Sequence, residues 1–581
     1  LNLPEYKQKD NVMLQRVVFG VVYSAILLLF LIGTNLLFLE QIINTENLSE
    51  TTTQISHVIG VMLWLVAIGL WFFRRQCQKP LVFLLEDISK SFHVARQAWQ
   101  QSLQTENRLH LALFGSIIIL AIGLRLLFIT QPIRTDEALT YLQFASKPLY
   151  LALSDYAAPN NHLLHTFFVH LSTRLFGNSE IAIRLPAFML GIAMIPAAYL
   201  AIRTIYNKNA ALLAAGLCAV SSVLIEYSVN ARGYTLQTTL FLLALALAGY
   251  VRHTARPAAW LLLAILLAAG FYTVPTMLYG AVILMFWVLV LIMVEKTGQM
   301  RRKLLVYWIA AGIATGMFTL ILYVPVFIVS GASAITSNSY VQSLDFSQFI
   351  AQIPQAFTTV WQQWHTSIQP IIAVLLVIGV IMATLLHRRI GQQPISLIGA
   401  IVLIIPAVLL LQRVHPFARI WLFLLPLYFG MAAAGVLCIF TWKNSVFVSI
   451  IGRFLAVVII GVGAITVLQT QSPYHSIETG TFRDAEAITL FFAEQPTTEK
   501  IIYEHPSGES LRYYFLRHQL PVARLEWDYT PHEKIYGVIN TEYSQDIASV
   551  FFQNGLRLAE YDVAMLKTYP LAAIFVAQQK N

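Results

Sequence analysis

Along most of the chain, apolar runs of about 20 residues alternate with short polar segments, and that length lets a helix cross a bilayer core of about 30 Å. The runs fall at residues 17–39, 57–73, 111–130, 181–202, 210–227, 234–250, 258–274, 276–294, 304–330, 368–386, 395–411, 420–440 and 447–468. Within a run the apolar residues are continuous, whereas a barrel strand would alternate apolar and polar positions. The pattern therefore predicts an all-α polytopic membrane protein of about thirteen spans. The first run shows no cleavage site and a second follows it, so it reads as an anchor.

Four stretches break the pattern. Residues 81–110 mix polar and apolar positions and predict a helix on the cytoplasmic surface. Residues 161–176 are short and carry His162, His165, His170 and Arg174 at roughly helical spacing. That predicts an amphipathic helix lying in the outer interface. Residues 331–367 read as a long outer loop. From residue 472 onward the apolar runs stop, and about 110 residues remain, enough for a small domain. Short buried strands are expected there at 500–503, 535–539 and 571–576. Helices are expected at 510–516 and 544–552, and another from a cap at 481–484 through Phe492. The chain thus divides into an N-terminal two-helix extension with its surface helix (1–110), a membrane domain (111–470) and a small α/β domain outside the membrane (471–581).

Charge sets the orientation. Lys and Arg gather at the ends of apolar runs, and such clusters mark the cytoplasmic side. With residues 161–176 kept in the interface, the clusters at 74–79, 203–208, 252–256, 295–303 and 387–389 all fall inside. If that helix crossed, the later clusters would fall outside. Hydrophobic residues make up 57% of the chain and charged residues 12%, against about 25% charged in soluble domains. The net charge of +9 is spread as a topology signal, so no nucleic-acid partner is expected. Cys77, Cys218 and Cys438 are far apart, and neither a disulfide framework nor a cysteine metal site is expected.

A few polar residues defy this scheme. Asp136 and Glu137 follow the third span, where a carboxylate pair is costly unless hydrated, paired or functional; a turn capping the next helix is the simpler reading. Asp155, Asn161, His162 and His165 surround Pro159. The two histidines lie three apart, on one helix face, and with Asp136 or Asp155 they could bind a divalent cation. A polar face bonded to sugar, water or headgroups is the other reading, so no metal ligand is assigned. Arg134, Arg232 with Tyr234, and Arg413, His415 and Arg419 place cations on the outer side. Arginine binds phosphate in a bidentate manner, and salt bridges to Asp136, Glu137 or Glu226 are the alternative. Carboxylates and guanidiniums on one membrane face suit transfer of a group from a lipid phosphate. A carboxylate deprotonates the acceptor and cations stabilise the phosphate that leaves.

Four stretches carry a resemblance to a known superfamily: Arg134-Thr-Asp136-Glu137-Ala; Pro159-Asn-Asn-His162 with Leu175-Phe-Gly-Asn-Ser-Glu180-Ile-Ala-Ile-Arg184-Leu-Pro186; Tyr227-Ser-Val-Asn-Ala-Arg232-Gly-Tyr234; and Arg419-Ile-Trp-Leu-Phe-Leu-Leu-Pro426. In order and spacing, over roughly residues 111–468, the chain resembles the GT-C superfamily of membrane glycosyltransferases. Within it the chain is similar to the branch of the protein O-mannosyltransferases and the lipid A aminoarabinose transferase. The resemblance implies a GT-C fold, a polyprenyl-phosphate-linked sugar as donor, and inverting transfer to a glycan, lipid or protein acceptor at a prokaryotic cell membrane. It implies Asp136 as catalytic base supported by Glu137, and phosphate or pyranose contacts from the Arg232 and Arg419 motifs. Two positions depart from the family pattern: Asn230 stands where many relatives are acidic, and Ala158-Pro159-Asn160 where many have His-Pro-Pro or Lys-Pro-Pro. The rival readings are a lipid-diphosphate oligosaccharyltransferase with a divalent metal, and a transporter or structural subunit of a glycan-assembly complex.

Overall fold

The computed structural model describes residues 106–336, 342–441, 446–495, 499–528 and 532–580, with parts of 20–90. The N-terminal tail, the loop at 40–49 and most of the expected surface helix at 81–110 lie outside the described residues.

Continuous apolar sequence gives a helical bundle because a helix satisfies its own backbone groups inside the membrane. The helices in chain order begin with α1 (Glu50–Phe72), α2 (Arg108–Leu126) and the one-turn α3 (Thr135–Leu139), then α4 (Leu163–Phe176), α5 (Glu180–Ile205), α6 (Lys208–Val220) and α7 (Ser222–Ser228). They continue with α8 (Tyr234–Val251), α9 (Pro257–Thr273), α10 (Met277–Glu295), α11 (Gly298–Val329) and α12 (Phe346–Trp364). The last in the membrane region are α13 (Pro370–Leu385), α14 (Leu397–Gln412), α15 (Leu425–Thr441) and α16 (Val446–Thr470). Among the described residues, seven helices are long and apolar enough to cross a membrane: α2, α5, α8, α10, α11, Ala418–Ile439 and Ile451–Thr470. Shorter apolar helices, including α9, α13, α14 and Ile26–Asn35, stand where other spans are expected.

The expected span at 210–227 is broken: α6 and α7 meet at 65°. The cause is a charge in the third apolar run. Arg125, fully buried in α2, donates to the carbonyls of Ala219 at 3.2 Å and Cys218 at 3.5 Å. Those carbonyls end α6, where a helix has no internal donors left and favours a cation. The break re-aims the chain so that Glu226 and Arg232 enter the interior rather than continuing a straight span.

The histidine-bearing segment folds as α4, with its amphipathicity turned inward. His165, Thr166 and His170 are buried, while Phe168, Leu171, Leu175 and Phe176 are exposed. Its polar face meets protein and its apolar face is left for the lipid boundary. The expected outer loop at 331–367 contains α12, whose Phe346, Ile350, Ile353, Phe357 and Trp361 form an exposed apolar stripe. That spacing also marks a helix lying in an interface.

After Ser472 the chain forms a four-stranded sheet, β1 (Lys500–Tyr503), β2 (Lys534–Asn540), β3 (Tyr561–Thr568) and β4 (Ala572–Gln579), in the order β1-β2-β4-β3. β1 and β2 are parallel and the other pairs antiparallel. The longer helices that accompany it among the described residues are α17 (Ala485–Glu494), α18 (Ser507–Arg517) and α19 (Ile547–Gln553). β2 shows the period of two in its burial: Tyr536 and Val538 pack with Phe492, Leu511 and Tyr514, while Ile535 and Ile539 pack with Val550 and Phe551. The first of these cores also holds Ile133, Ala138, Val169 and Ile183, so the sheet is fused to the loop after α2. Within the expected cap at 481–484, Asp484 stands at the N-cap position of α17, and its carboxylate accepts from the Leu571 N–H at 2.8 Å. The strand β3 has no counterpart in the sequence reading because most of its residues are exposed, which erases the buried face a strand normally advertises.

Candidate functional site

The site forms where the ends of α2, α6 and α16 meet the post-membrane segment. Arg134, in the loop after α2, pairs with Glu226 at 2.9 Å and donates to the carbonyls of Pro473 at 2.6 Å and Glu478 at 2.8 Å. Ser476 donates to Glu226 at 2.8 Å. Arg134 thus forms the ion pair foreseen as the alternative in sequence, with only its Nε left without a hydrogen-bond partner among the described residues.

Glu137 is placed the same way. Both its oxygens meet Arg184, Nε at 2.8 Å and Nη2 at 2.6 Å, and they accept from the backbone N–H groups of Ala231 and Arg134. Burial opposes its charge, but the Arg184 guanidinium and these hydrogen bonds outweigh it and hold the carboxyl below its usual range. Fully enclosed, Glu137 ties the start of α3 to Arg184 and to the Ala231–Arg232 turn.

Asp136 is different. Its backbone N–H is held by Thr479 at 3.0 Å and its carbonyl accepts from Asn160 at 3.0 Å. Its carboxylate is left with a single ion pair among the described residues, to Arg232 at 3.7 Å, and 24% of the side chain is exposed. Arg232, buried, also donates to Asn160, through the backbone oxygen at 3.0 Å and the side-chain oxygen. Its Nε has no hydrogen-bond partner among the described residues. Beside it, Tyr234 receives Arg419 Nε at 3.1 Å, and Arg419 approaches Glu478 at 3.5 Å. Asp136, Arg232, Tyr234 and Arg419 therefore converge, as the sequence proposed.

His162 joins them in a defined tautomer. The Gly233 N–H donates to its Nδ1 at 2.7 Å, so the proton of the neutral ring sits on Nε2. That N–H lies 3.4 Å from Arg232 Nη2. Two donors side by side cannot satisfy each other, and together they ask for an acceptor. Burial first, then the Arg232 charge, keeps the His162 ring neutral well below its ordinary pKa.

His165 lies deeper, with both ring nitrogens buried and unpartnered among the described residues. Burial and then Arg232 push its pKa from 6.5 to about 3. The unfolded chain takes up this proton near 6.5 and the folded chain resists it down to about 3, so stability falls as pH drops through that window. Replacing His165 by Asn is expected to flatten the acid-side decline of thermal stability in that window. An unchanged slope would contradict the assignment.

The other candidates do not reach this cluster. Asp155 forms a local turn, accepting from Ala157 N–H at 2.9 Å. Asn161 is spent on the carbonyls of Ala152 and Asp155 and on Thr166. Arg413 is exposed in a left-handed backbone conformation, and His415 stacks on Phe349 and bonds its carbonyl. No group of three or more His, Cys, Asp or Glu able to hold a metal occurs among the described residues, so the cation site weighed as one of two readings of His162 and His165 has no cluster there. Residues outside the expected set matter instead. Asn160 bridges Asp136 and Arg232, Arg184 anchors Glu137, and Glu478 reaches in from beyond the membrane region. The Tyr227 hydroxyl is also buried without a partner among the described residues.

The post-membrane segment holds the loop from above. Gly480, at φ 75°, gives its carbonyl to Thr135 N–H at 3.1 Å, and a side chain there would collide with Thr135. The Tyr514 hydroxyl accepts from Ile133 N–H at 3.1 Å. Tyr514→Phe leaves that buried N–H unsatisfied and is expected to lower stability by about 1–3 kcal/mol, measured by thermal unfolding of the purified protein.

The helical membrane bundle and its small sheet together make a fold that a solved membrane-protein structure shares. Residues 159–328 match the family model of dolichyl-phosphate-mannose-protein mannosyltransferases. The structure is similar to that of ArnT from Cupriavidus metallidurans bound to undecaprenyl phosphate, with a TM-score of 0.51 and 12% identity, covering 80% of this chain and 97% of that one. It is also similar to the archaeal oligosaccharyltransferase AglB from Archaeoglobus fulgidus in complex with an inhibitory peptide and a dolichol-phosphate, with a TM-score of 0.49 and 13% identity, covering 79% of this chain and 73% of that one. No curated protein matches the chain.

Proposed function

We propose that the protein is an inverting glycosyltransferase that moves a sugar from a polyprenyl-phosphate-linked donor to an acceptor on the extracytoplasmic side of a prokaryotic membrane. The observation that carries this reading is Asp136: a partly exposed carboxylate beside Arg232, within a cluster closed by Arg419. In the reaction Asp136 takes the proton of an acceptor hydroxyl or amine. The freed lone pair forms a bond to the anomeric carbon, and the bond from that carbon to the phosphate oxygen breaks with its electrons. The lipid phosphate leaves as an anion that needs no proton donor, because Arg232, Arg419 and the Nε2–H of His162 stabilise its charge. One displacement inverts the anomeric configuration.

The test is transfer from a synthetic polyprenyl-phosphate monosaccharide by the reconstituted protein, with and without a chelator. Transfer that survives chelation is expected. Activity lost on chelation and restored by Mg²⁺ or Mn²⁺ would favour the lipid-diphosphate oligosaccharyltransferase instead. No transfer with any lipid-phosphate sugar would favour a transporter or structural subunit.

A further inference from the structure

At the opposite end of the bundle from Asp136, a cavity of about 430 Å³ opens between α2, α6, α15 and α16. The chain direction fixes its place: α2 and α6 begin beside the cavity, at Asn107 and Lys208, α16 lines it from Gly452 and Arg453 in its first half, and all three run toward the Asp136 cluster. Its volume is within the roughly 300–1,000 Å³ of ligand pockets. Leu113, Leu212 and Ala456 make apolar walls. At its inner end, Gly216 lets Ile117 and Ile460 close against α6. The mouth is cationic, with Lys208 and Arg453 on its rim. Glu106 answers Lys208 at 2.9 Å and Arg203 at 2.8 Å. One carboxylate thus serves two cations, and Arg453 has no ion pair among the described residues. A surplus of positive charge sits at the mouth of an apolar slot between spanning helices.

We infer that this cavity is a binding site for an anionic glycerophospholipid, with an acyl chain along Leu113, Leu212 and Ala456 and the phosphate held by Lys208 and Arg453. Basic pockets between membrane helices suit such headgroups, and a water-soluble anion would leave the apolar walls unused. The site is separate from the proposed transfer centre and does not depend on it.

The test uses the full chain in nanodiscs of equal parts phosphatidylcholine and phosphatidylglycerol, released and weighed by native mass spectrometry. The wild type is expected to retain phosphatidylglycerol in preference to phosphatidylcholine. Arg453→Gln is expected to lose that preference, and Ala456→Phe to lose the retained lipid. Lys208→Gln also disturbs the Glu106 pair, so the exposed Arg453→Gln is the decisive variant. Monodisperse elution and wild-type thermal stability are its folding control. Equal retention of both lipids by the wild type, unchanged preference in Arg453→Gln, or displacement of the lipid by inorganic phosphate would each overturn the proposal.

Discussion

Asp136→Asn is expected to lower sugar transfer by about 10²–10⁴-fold, the contribution of a general base, while folding and lipid-phosphate binding persist. The amide keeps the shape of the side chain and loses only the ability to take a proton. The Asp136 backbone is held independently of its carboxylate, by Thr479 and Asn160, so the variant should keep the loop in place. The measurement is the initial rate of transfer, with donor binding followed separately. A variant that transfers at the wild-type rate would remove Asp136 from the mechanism.

The second large effect concerns stability. Arg184→Met is expected to destabilise the protein by about 3–5 kcal/mol, because it leaves a buried carboxylate without its partner. Both Arg184 and Glu137 are fully buried, and the guanidinium also donates to the carbonyls of Ile129, Gln131 and Pro132. Removing both charges together, in Arg184→Met with Glu137→Leu, should recover part of the loss. Recovery stays partial because the Ala231 and Arg134 N–H groups then lose their acceptor. Thermal unfolding of the single and double variants measures this. A mild effect in Arg184→Met alone would show that the pair is dispensable.

The sequence made the bundle legible because membrane helices are written as long apolar runs. It also made the outward arginines legible, since a cation on the wrong side of a span stands out against the charge rule. Arg232 and Arg419 stand out that way, Asp136 stands out as a carboxylate at the membrane surface, and these side chains converge around Tyr234. What stayed hidden depends on tertiary partners. Arg134 and Arg232 look alike in sequence, yet Glu226 consumes one and the other faces Asp136. Asn160 and Asn161 are neighbours, and only the register of the turn before α4 decides which reaches the site. Arg125 and Arg184 carried a signal that could have found them: a charge inside an apolar helix is expensive and has a partner. Glu478 could not be found from the membrane region alone, because the post-membrane segment delivers it.

Arg232 and Arg419 are proposed to hold one lipid phosphate beside Asp136, and equilibrium binding of a polyprenyl monophosphate tests that most directly. Binding should be tight to the wild type, weak to the uncharged polyprenol, and reduced at least tenfold in Arg232→Gln and in Arg419→Gln. Equal binding of phosphate and alcohol, or wild-type affinity in both arginine variants, would contradict it.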